Sequence, residues 1–492
     1  MLTALLGCLL VTLTFRYLFL RSRARSSLRL PPGPKRLPIL GNLLNVPSQF
    51  EWKTYERWGE EFGSDILYLN VVGTPLIVLN SFEAANCLLD QRSAIYSSRM
   101  GWSWLMVFTP YGDVWKERRR LFQQYLHPNN TSLHEPAERL YTHIFLRNLL
   151  DKPDRFIDHI RHVVGEITLA IGYGIKTRSE NEPLIAIAEA AVSSVTDAGI
   201  PGRFLVDTFP MLRFVPEWFP GAGFQRQARE WRAGMLKFLT IPFQSALKEI
   251  SFVSVSVGDS LPSSLSKQDL IRIQHGAGQI FIGGSDTSVS SLSTFVLAMT
   301  CFPETQKKAQ KELDLVLKGR LPEHSDLHEL TYLQALVKEV LRWQPVTPLG
   351  IPHLVTEEDE YAGYRIPAGS TVISNIWAIS RNEEVYPDAH LFKPERFLSE
   401  GVLRPDVRDP LEFVFGFGRR ICPGKHIAIS TITMIVASML STLTIEKAID
   451  EAGHPIEPTL EYNTLLVTHP LPFKCLIKPR SKEAVNLIRT RE

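Results

Sequence analysis

The sequence is poor in the features that mark several classes of protein. Its 492 residues contain only five cysteines, which are too few and too scattered for a disulfide scaffold. A formal net charge of +2 gives no support for nucleic-acid binding through bulk charge, and no Gly-x-Gly-x-x-Gly fingerprint opens a βαβ unit. We therefore expect a protein of a reducing compartment that neither binds nucleic acid nor carries its own dinucleotide site.

The small net charge conceals an uneven distribution. Residues 1–30 contain five of the 54 basic residues and no acid, which leaves 49 basic against 52 acidic residues in the rest of the chain. Residues 2–20 are apolar except for three threonines and Arg16, and at ~1.5 Å per helical residue they nearly cross a hydrocarbon layer of about 30 Å. A cleaved signal peptide is the alternative, but its basic leader precedes the apolar run, whereas here three arginines follow it. The pattern predicts a transmembrane anchor over residues 1–20 with the rest of the chain in the cytosol.

The remaining chain reads as a flank and one large domain. Residues 21–44 are basic and then rich in proline, which predicts a stiff hinge, and residues 45–492 show no further linker or repeat. A serine-rich stretch at 251–266 predicts a surface loop. Apolar periodicity predicts helices over 81–91, 113–126, 182–195, 267–300 and 304–317, and short strands over 66–80, 364–375 and 472–479. In the first of these strand segments, Gly73-Thr74-Pro75 predicts a turn that makes it a hairpin. The predicted fold class is mainly α with small β-sheets, an α+β arrangement.

The stretch richest in chemistry is residues 413–430, FVFGFGRRICPGKHIAIS. Cys422 follows a glycine-rich turn, and Gly416, Gly418 and Gly424 let a flat group approach the backbone closely. Two arginines before the cysteine and a helix N-terminus after it favour thiolate over thiol, so Cys422 is a candidate nucleophile or metal ligand. The alternative is an inert, packed cysteine.

A second candidate site lies in the long apolar helix predicted at 267–300. Its middle carries Gly283-Gly284-Ser285-Asp286-Thr287-Ser288, in which two glycines cost helix stability and an acid stands beside an alcohol. One interpretation is a kink in which the Thr287 hydroxyl bonds back to the carbonyl of the previous turn. The other is a local opening of the helix at a site that needs proton transfer.

Two pairs of residues have helical spacing. Glu339 and Arg342 are three residues apart and can form an ion pair on one helix face. Trp115 and Arg119 are four residues apart, which suits either a cation-π contact or the joint binding of an anion. Each pair alone is weak evidence. A zinc site at Cys422 and His426 would be half complete, since the chain has no Cys-x-x-Cys.

The spacing Phe415-x-x-Gly418-x-Arg420-x-Cys422-x-Gly424 resembles the cysteine loop of the cytochrome P-450 family. The resemblance extends from the proline hinge to the C-terminus. It implies that the cofactor is haem b, that Cys422 is the axial thiolate ligand of the iron, and that Phe415 packs near the sulfur. A thiolate ligand pushes electron density onto the iron and favours O–O cleavage.

The same resemblance assigns expected roles to other residues. Trp115, Arg119 and Arg420 would hold haem propionates, and His353, which follows the Glu339 helix, would be a further donor to a propionate. The sequence Pro-Glu-Arg-Phe at 394–397 would bring Arg396 to the Glu339–Arg342 pair in a structural network without catalytic role.

The activity implied is that of a haem-thiolate monooxygenase. It would oxidise a hydrophobic small molecule with O₂ and two electrons from NADPH, which arrive through a separate reductase. Asp286 and Thr287 would relay protons, over a helix that opens near the iron. Two alternatives are a thiolate-haem isomerase or dehydratase that works without O₂, and a non-catalytic haem sensor. The sequence FGFGRRICPG is similar to that of fungal microsomal members of the family. This similarity implies a location at the endoplasmic reticulum membrane and a role in secondary metabolism.

Two further surfaces are suggested by position alone. A basic face for the reductase is predicted from Lys116, Arg118, Arg120 and Lys425, although ordinary solvated charge explains them equally well. Candidates to face the substrate are apolar, and core packing is their alternative explanation. They are Trp102, Trp104, Phe108, Phe281, residues 346–351, Leu465 and Leu466.

Overall fold

The computed structural model describes residues 28–101, 105–176, 183–199, 204–246, 251–258 and 265–490. The predicted anchor at 1–20, Trp102 and Trp104 lie outside the described residues. The chain forms two compact units, one made of Met1–Met100 with Ile351–Asn375 and the other of Gly101–Gly350 with Ile376–Glu492. That residues 45–492 are a single haem domain stays a prediction.

In its described residues, the first unit combines three α-helices and a π-helical segment with six strands. The four-stranded sheet has the order β1-β2-β6-β3, with β2 and β6 parallel and the other pairs antiparallel, and β4 pairs with β5. The elements are α1 (Glu51–Phe62), α2 (Phe82–Ala85), a π-helical segment (Asn86–Gln91), α3 (Ser93–Tyr96), β1 (Ile66–Val71), β2 (Thr74–Leu79), β3 (His353–Leu354), β4 (Asp359–Tyr361), β5 (Tyr364–Ile366) and β6 (Thr371–Ser374).

The hairpin predicted over residues 66–80 is confirmed, but its turn begins one residue before the predicted Gly-Thr-Pro. Val71 pairs with Thr74, so Val72 and Gly73 form a two-residue loop with φ of 49° and 86°. Two positive φ angles match the twist of the flanking strands, which explains the glycine. The Thr-Pro that follows belongs to β2.

The second unit is mainly helical, which confirms the predicted class. Its helices are α4 (Asp113–Tyr125), α5 (Glu135–Asp151), α6 (Phe156–Tyr173), α7 (Pro183–Ala198), α8 (Leu205–Thr208), α9 (Gly223–Ser245), α10 (Phe252–Val257), α11 (Lys267–Cys301), α12 (Pro303–Leu317), α13 (Thr331–Trp343), α14 (Ile376–Ser380), α15 (Lys425–Thr442) and α16 (Lys482–Arg489). Its strands are β7 (Leu398–Ser399), β8 (Val402–Leu403), β9 (Leu443–Lys447) and β10 (Cys475–Pro479), paired as β7-β8 and β9-β10. Short 3₁₀ turns lie at Met106–Phe108, Pro128–Leu133, Pro153–Arg155, Pro210–Phe214, His324–Asp326, Pro394–Phe397, Pro410–Glu412 and Gly418–Arg420.

Helix α11 runs through the core of this unit and packs most extensively against α6. Its glycines allow close approach of neighbouring elements. A Cβ at Gly276 would lie 2.5 Å from the Phe252 ring, and one at Gly284 would lie 3.0 Å from Thr168 Cγ2 of α6. The helix therefore gives up some intrinsic stability at glycine in exchange for tight packing.

The prediction of a surface loop over 251–266 is wrong for residues 251–258. Ser251 caps the short helix α10, and Phe252 and Val253 are fully buried, with the Phe252 ring 5.4 Å from that of Phe122. The serines suited a loop, but Ser251 and Ser254 form a capping box that starts a helix. Residues 259–264 lie outside the described residues.

The predicted network of Glu339, Arg342 and Arg396 is confirmed. Arg342 donates from Nε and Nη2 to the two carboxylate oxygens of Glu339 at 2.7 and 2.8 Å, and Arg396 Nε donates to Glu339 Oε1 at 3.1 Å. Both Glu339 and Arg342 are 0% exposed. Because a buried ion needs a matched partner, these three side chains depend on one another. They tie α13 to the turn at Pro394–Phe397.

Within the described ranges, α15 alone has the length and hydropathy of a membrane span, and 61% of it is buried inside the protein. A mostly buried helix of this kind is as typical of a core as of a membrane span.

Candidate active site

The loop around Cys422 is built by hydrogen bonds of its own backbone. Cys422 N–H donates to Phe415 O at 2.8 Å, which closes the glycine-rich turn into a narrow loop. Gly416 has a φ of 81°, a conformation that favours glycine. Helix α15 starts directly after Gly424, and a Cβ at Gly424 would lie 4.0 Å from Cys422 Sγ. The backbone therefore presents the sulfur at the start of a helix.

The protein surroundings act on the Cys422 thiol in opposite directions. Burial raises its pKa above the usual value, while the Gly424 N–H and the positive charges of Arg119 and Lys425 lower it. The effect of burial is the larger, so the pKa of Cys422 is raised overall. Our expectation that the loop by itself favours thiolate is therefore wrong, because desolvation of the sulfur outweighs the nearby positive charge. A bound metal cation is the usual means of holding such a thiol deprotonated.

Three of the predicted haem-binding residues converge next to this loop. Arg119 of α4 donates from Nη1 to Ile421 O at 2.7 Å, and Arg420 Cζ lies 4.5 Å from the centre of the buried Trp115 ring. Arg420 also donates to Thr109 O at 2.8 Å. The i,i+4 spacing of Trp115 and Arg119 thus places both at the cysteine loop, and the cation-π contact is made by Arg420.

The two guanidinium groups of this cluster are partly desolvated. Burial, with the positive charge of Arg119 as a second cause, lowers the pKa of Arg420 to about 10. Burial also lowers the pKa of Arg119. In the described part of the chain, Arg119 forms no ion pair with a carboxylate. Two such cations side by side create a strong preference for an anionic group.

Asp286 and Thr287 lie near the middle of α11 and are half-buried. Thr287 Oγ1 donates to Gly283 O at 2.7 Å, which is the back-bonded arrangement that the sequence left open. Asp286 Oδ1 lies 3.1 Å from His469 Nε2 and 3.7 Å from Arg161 Nη1. Neither His469 nor Arg161 was predicted from the sequence, because each is a single residue distant in sequence from Asp286 and neither belongs to a motif.

The predicted local opening of α11 is absent. The helix is continuous from Lys267 to Cys301, and Gly283 and Gly284 are helical like their neighbours. The glycines do not break it because α11 is held on several sides by packing, and the Gly283 carbonyl has the Thr287 hydroxyl as a partner. Among the described residues, no hydrogen bond or ion pair joins Asp286 or Thr287 to the cysteine loop.

His353 belongs to the first unit. It is buried at the start of β3, where its Nδ1 donates to Tyr96 O at 2.8 Å. This bond fixes the orientation of the imidazole ring and its tautomer, with the proton on Nδ1. A role toward a propionate stays a prediction.

The predicted basic face is only partly exposed. Lys116 and Arg120 are exposed, but Lys425 donates to Leu411 O at 2.7 Å and Arg118 donates to Thr109 Oγ1 at 3.2 Å. Arg118 is half-buried because α4 turns it toward α11, and burial lowers its pKa. Arg419, which the prediction omitted, is exposed beside Tyr111.

Comparison with known families decides the identity. The family description Cytochrome P450 matches residues 31–477, nearly the whole described chain. The protein is a cytochrome P450. As a member of this family it binds haem b through a cysteine thiolate.

The relatives of this cytochrome P450 are fungal monooxygenases. It is 45% identical over 485 residues to cytochrome P450 monooxygenase ple1 of Rhodocybe pseudopiperita, which covers 95% of this chain and 93% of the relative. It is 44% identical to cytochrome P450 monooxygenase 98 of Postia placenta, over 95% and 93% of the two chains. Tryptamine 4-monooxygenase of Psilocybe cyanescens is 38% identical, over 95% and 96%. The chain is therefore a P450-type monooxygenase, and the isomerase and sensor alternatives are set aside.

The residues present fit this cofactor. Arg119 and Arg420 form a partly buried pair of cations beside the cysteine, which suits the two carboxylates of a haem. The cysteine loop has glycine at positions 416, 418 and 424, so a flat group can approach its backbone.

Proposed function

We propose that Cys422 would be the thiolate ligand of haem iron in this monooxygenase. Trp115, Arg119 and Arg420 hold its propionates. The observation that carries the proposal is the junction of Arg119 with Ile421 O, which joins the cation pair to the residue before the cysteine. Phe415, which is partly buried against the core, would pack near the sulfur. The Gly424 N–H hydrogen-bonds to the sulfur and so moderates its basicity.

When bound, a haem with a thiolate ligand supplies the O₂ activation that allows an unactivated C–H bond to be hydroxylated. The chain's own part is to deliver protons and exclude water. Asp286 exchanges protons with solvent, and Thr287, whose hydroxyl is hydrogen-bonded to Gly283 O, passes a proton on by rotating away from that carbonyl. Both residues lie on one continuous helix, so their spacing is fixed.

The substrate proposed is a hydrophobic small molecule. Phe108 and Phe281 lie in the second unit, where Phe281 is buried and Phe108 packs at the edge of the core. One relative is named for tryptamine, so aromatic amines are the first compounds to test. Shifts in the ferric haem spectrum on addition of each compound would identify binders.

The electron donor proposed is an NADPH-dependent reductase. The exposed cations Lys116, Arg120 and Arg419 offer a positive surface beside the cysteine loop and α4. Such a surface favours rapid association with an acidic partner and makes it dependent on salt.

We further propose that residues 1–20 anchor the protein in the endoplasmic reticulum membrane, with the catalytic domain in the cytosol. Apolar side chains between Leu205 and Phe219 support membrane contact. Met211, Phe214 and Trp218 are each more than two-thirds exposed. Large exposed apolar groups of this kind are typical of an interaction surface.

Carbon monoxide binding tests the ligand assignment. The reduced full-length protein is expected to show the strongly red-shifted Soret band of thiolate ligation, and Cys422→Ala is expected to lose it. The control Cys87→Ala removes a different half-buried cysteine and should keep the band. Product formation that requires both NADPH and the reductase would support the monooxygenase cycle with this electron donor.

A further inference from the structure

The carboxylate of Asp286 is held from one side only. It is 12% exposed, and its two partners among the described residues, His469 Nε2 at 3.1 Å and Arg161 Nη1 at 3.7 Å, both lie next to Oδ1. Among the described residues, nothing donates a hydrogen bond to Oδ2. The two close contacts therefore lie at Oδ1, and Oδ2 stays available.

Of the two partners, His469 is the closer and the better shielded. Its side chain is 13% exposed, whereas that of Arg161 is 41% exposed. At 3.7 Å and in contact with solvent, the arginine contributes a screened attraction without a hydrogen bond. His469 Nε2 lies 3.1 Å from Oδ1, which is close enough for the nitrogen to donate a hydrogen bond in the tautomer that carries the proton on Nε2.

His469 comes from the end of a loop that is fixed independently. Ser290 Oγ of α11 donates to Thr468 O at 2.5 Å, and Thr468 N–H donates to Val346 O at 2.9 Å. Within the loop, Asn463 N–H donates to His469 O at 3.0 Å. These bonds already hold the loop against α11. The imidazole of His469 is therefore not needed to hold the loop against α11. Its contact with Asp286 acts on the carboxylate instead.

We propose that His469 is a positioning residue that orients the Asp286 carboxylate for proton delivery. The inference rests on the proposed roles of Asp286 and Thr287. By donating to Oδ1, His469 fixes the rotation of the carboxylate and keeps Oδ2 free. Oδ2 accepts a proton from water and releases it toward the Thr287 hydroxyl, which regenerates the carboxylate with no net change in its charge.

The first measurement needs no organic substrate. Haem-loaded full-length protein with a reductase and NADPH reduces O₂ either to hydrogen peroxide, with one NADPH per O₂, or to water, with two. Water formation consumes more protons per O₂ than peroxide formation does, so the peroxide-to-water ratio reports proton delivery. His469→Leu is expected to raise this ratio about tenfold, less than the ~10²–10⁴-fold effect of a general acid. His469→Gln, which keeps an N–H donor, is expected to bring this ratio most of the way back to the wild-type value.

A second measurement does not depend on turnover. If His469 and Asp286 are partners, the denaturation midpoint of the double variant Asp286→Asn/His469→Leu should fall by less than the two single variants together. The matched control is His454→Leu. His454 faces Asp450 at 3.7 Å on the surface and should change neither readout.

The outcomes separate this inference from the proposed function. If Asp286→Asn raises the peroxide-to-water ratio while His469→Leu leaves it unchanged, the positioning role is overturned and the relay stands. If Asp286→Asn and Thr287→Ala both leave the ratio unchanged, the relay itself is wrong and the inference falls with it. If His469→Gln behaves like His469→Leu, loss of the hydrogen bond is not the cause, and the inference is again overturned.

Discussion

Two acidic residues of the second unit each face two basic side chains, but in different ways. Glu339 is 0% exposed, and both its oxygens accept bonds of 2.7 to 3.1 Å from Arg342 and Arg396. Asp286 is 12% exposed, and its contacts of 3.1 and 3.7 Å both involve one oxygen. The first carboxylate has its hydrogen-bonding capacity used by the protein, and the second does not.

This difference separates a structural acid from an acid that can exchange protons. A carboxylate bound on both oxygens by guanidinium groups cannot accept a proton without breaking a buried network. A carboxylate held on one oxygen keeps the other for chemistry, and its partial exposure gives a path to solvent. We expect changes at Glu339 to affect stability, and changes around Asp286 to affect the fate of oxygen.

The largest effect is expected for Glu339→Gln. It would leave the guanidinium groups of Arg342 and Arg396 buried without a counter-charge, at a cost of about 3–5 kcal/mol in the free energy of unfolding. Chemical denaturation followed by fluorescence, with haem content measured in parallel, tests this. The control is Glu446→Gln, since Glu446 pairs with Lys478 at the surface and is expected to contribute at most ~1 kcal/mol. If Glu339→Gln lowered the free energy of unfolding no more than Glu446→Gln does, the contrast between Glu339 and Asp286 would be lost.

A smaller and different effect is expected for Thr287→Ala. The variant should fold, bind haem and keep the carbon monoxide spectrum, while more of the oxygen consumed leaves as peroxide and product formation falls by roughly tenfold or more. Thr300→Ala is a matched control, because Thr300 on the same helix also bonds back, to Val296 O at 2.8 Å. Equal peroxide release from the two variants would show that a threonine hydroxyl on α11 has no special role at position 287.

The smallest effect is expected for Arg161→Gln. Its 3.7 Å contact with Asp286 is partly exposed, so its removal should cost less than ~1 kcal/mol in stability and change the peroxide-to-water ratio less than His469→Leu does. Repeating the measurement at high salt should reduce the difference from the wild-type protein further. A larger effect for Arg161 than for His469 would reverse our ranking of the two partners.

Much of the fold could be predicted because its elements have local causes. Periodic apolar residues located α4 and α11 to within one residue, and β-branched runs around a glycine located the β1-β2 hairpin. The errors arose where tertiary packing decides. The serines at 251 and 254 cap a helix whose apolar face is buried, and the glycines of α11 serve close contacts instead of a break.

The site was predictable to the extent that its residues share a short motif. Phe415, Arg420 and Cys422 are adjacent in sequence, and Trp115 with Arg119 has helical spacing, so their proximity needed little tertiary information. Arg161 and His469 reach Asp286 from distant segments as single residues, and no pattern in the sequence connects them. The net effect on the Cys422 thiol also escaped prediction, since burial of the sulfur is a property of the folded chain.

The measurement that tests the account most directly is the spectrum of the reduced protein with carbon monoxide, compared between the wild type and Cys422→Ala. We predict the strongly red-shifted Soret band of a thiolate-ligated haem in the wild type and its loss in the variant, with the band kept in Cys87→Ala. Survival of the band in Cys422→Ala, or its absence from haem-loaded wild type, would contradict the assignment of Cys422 as the ligand.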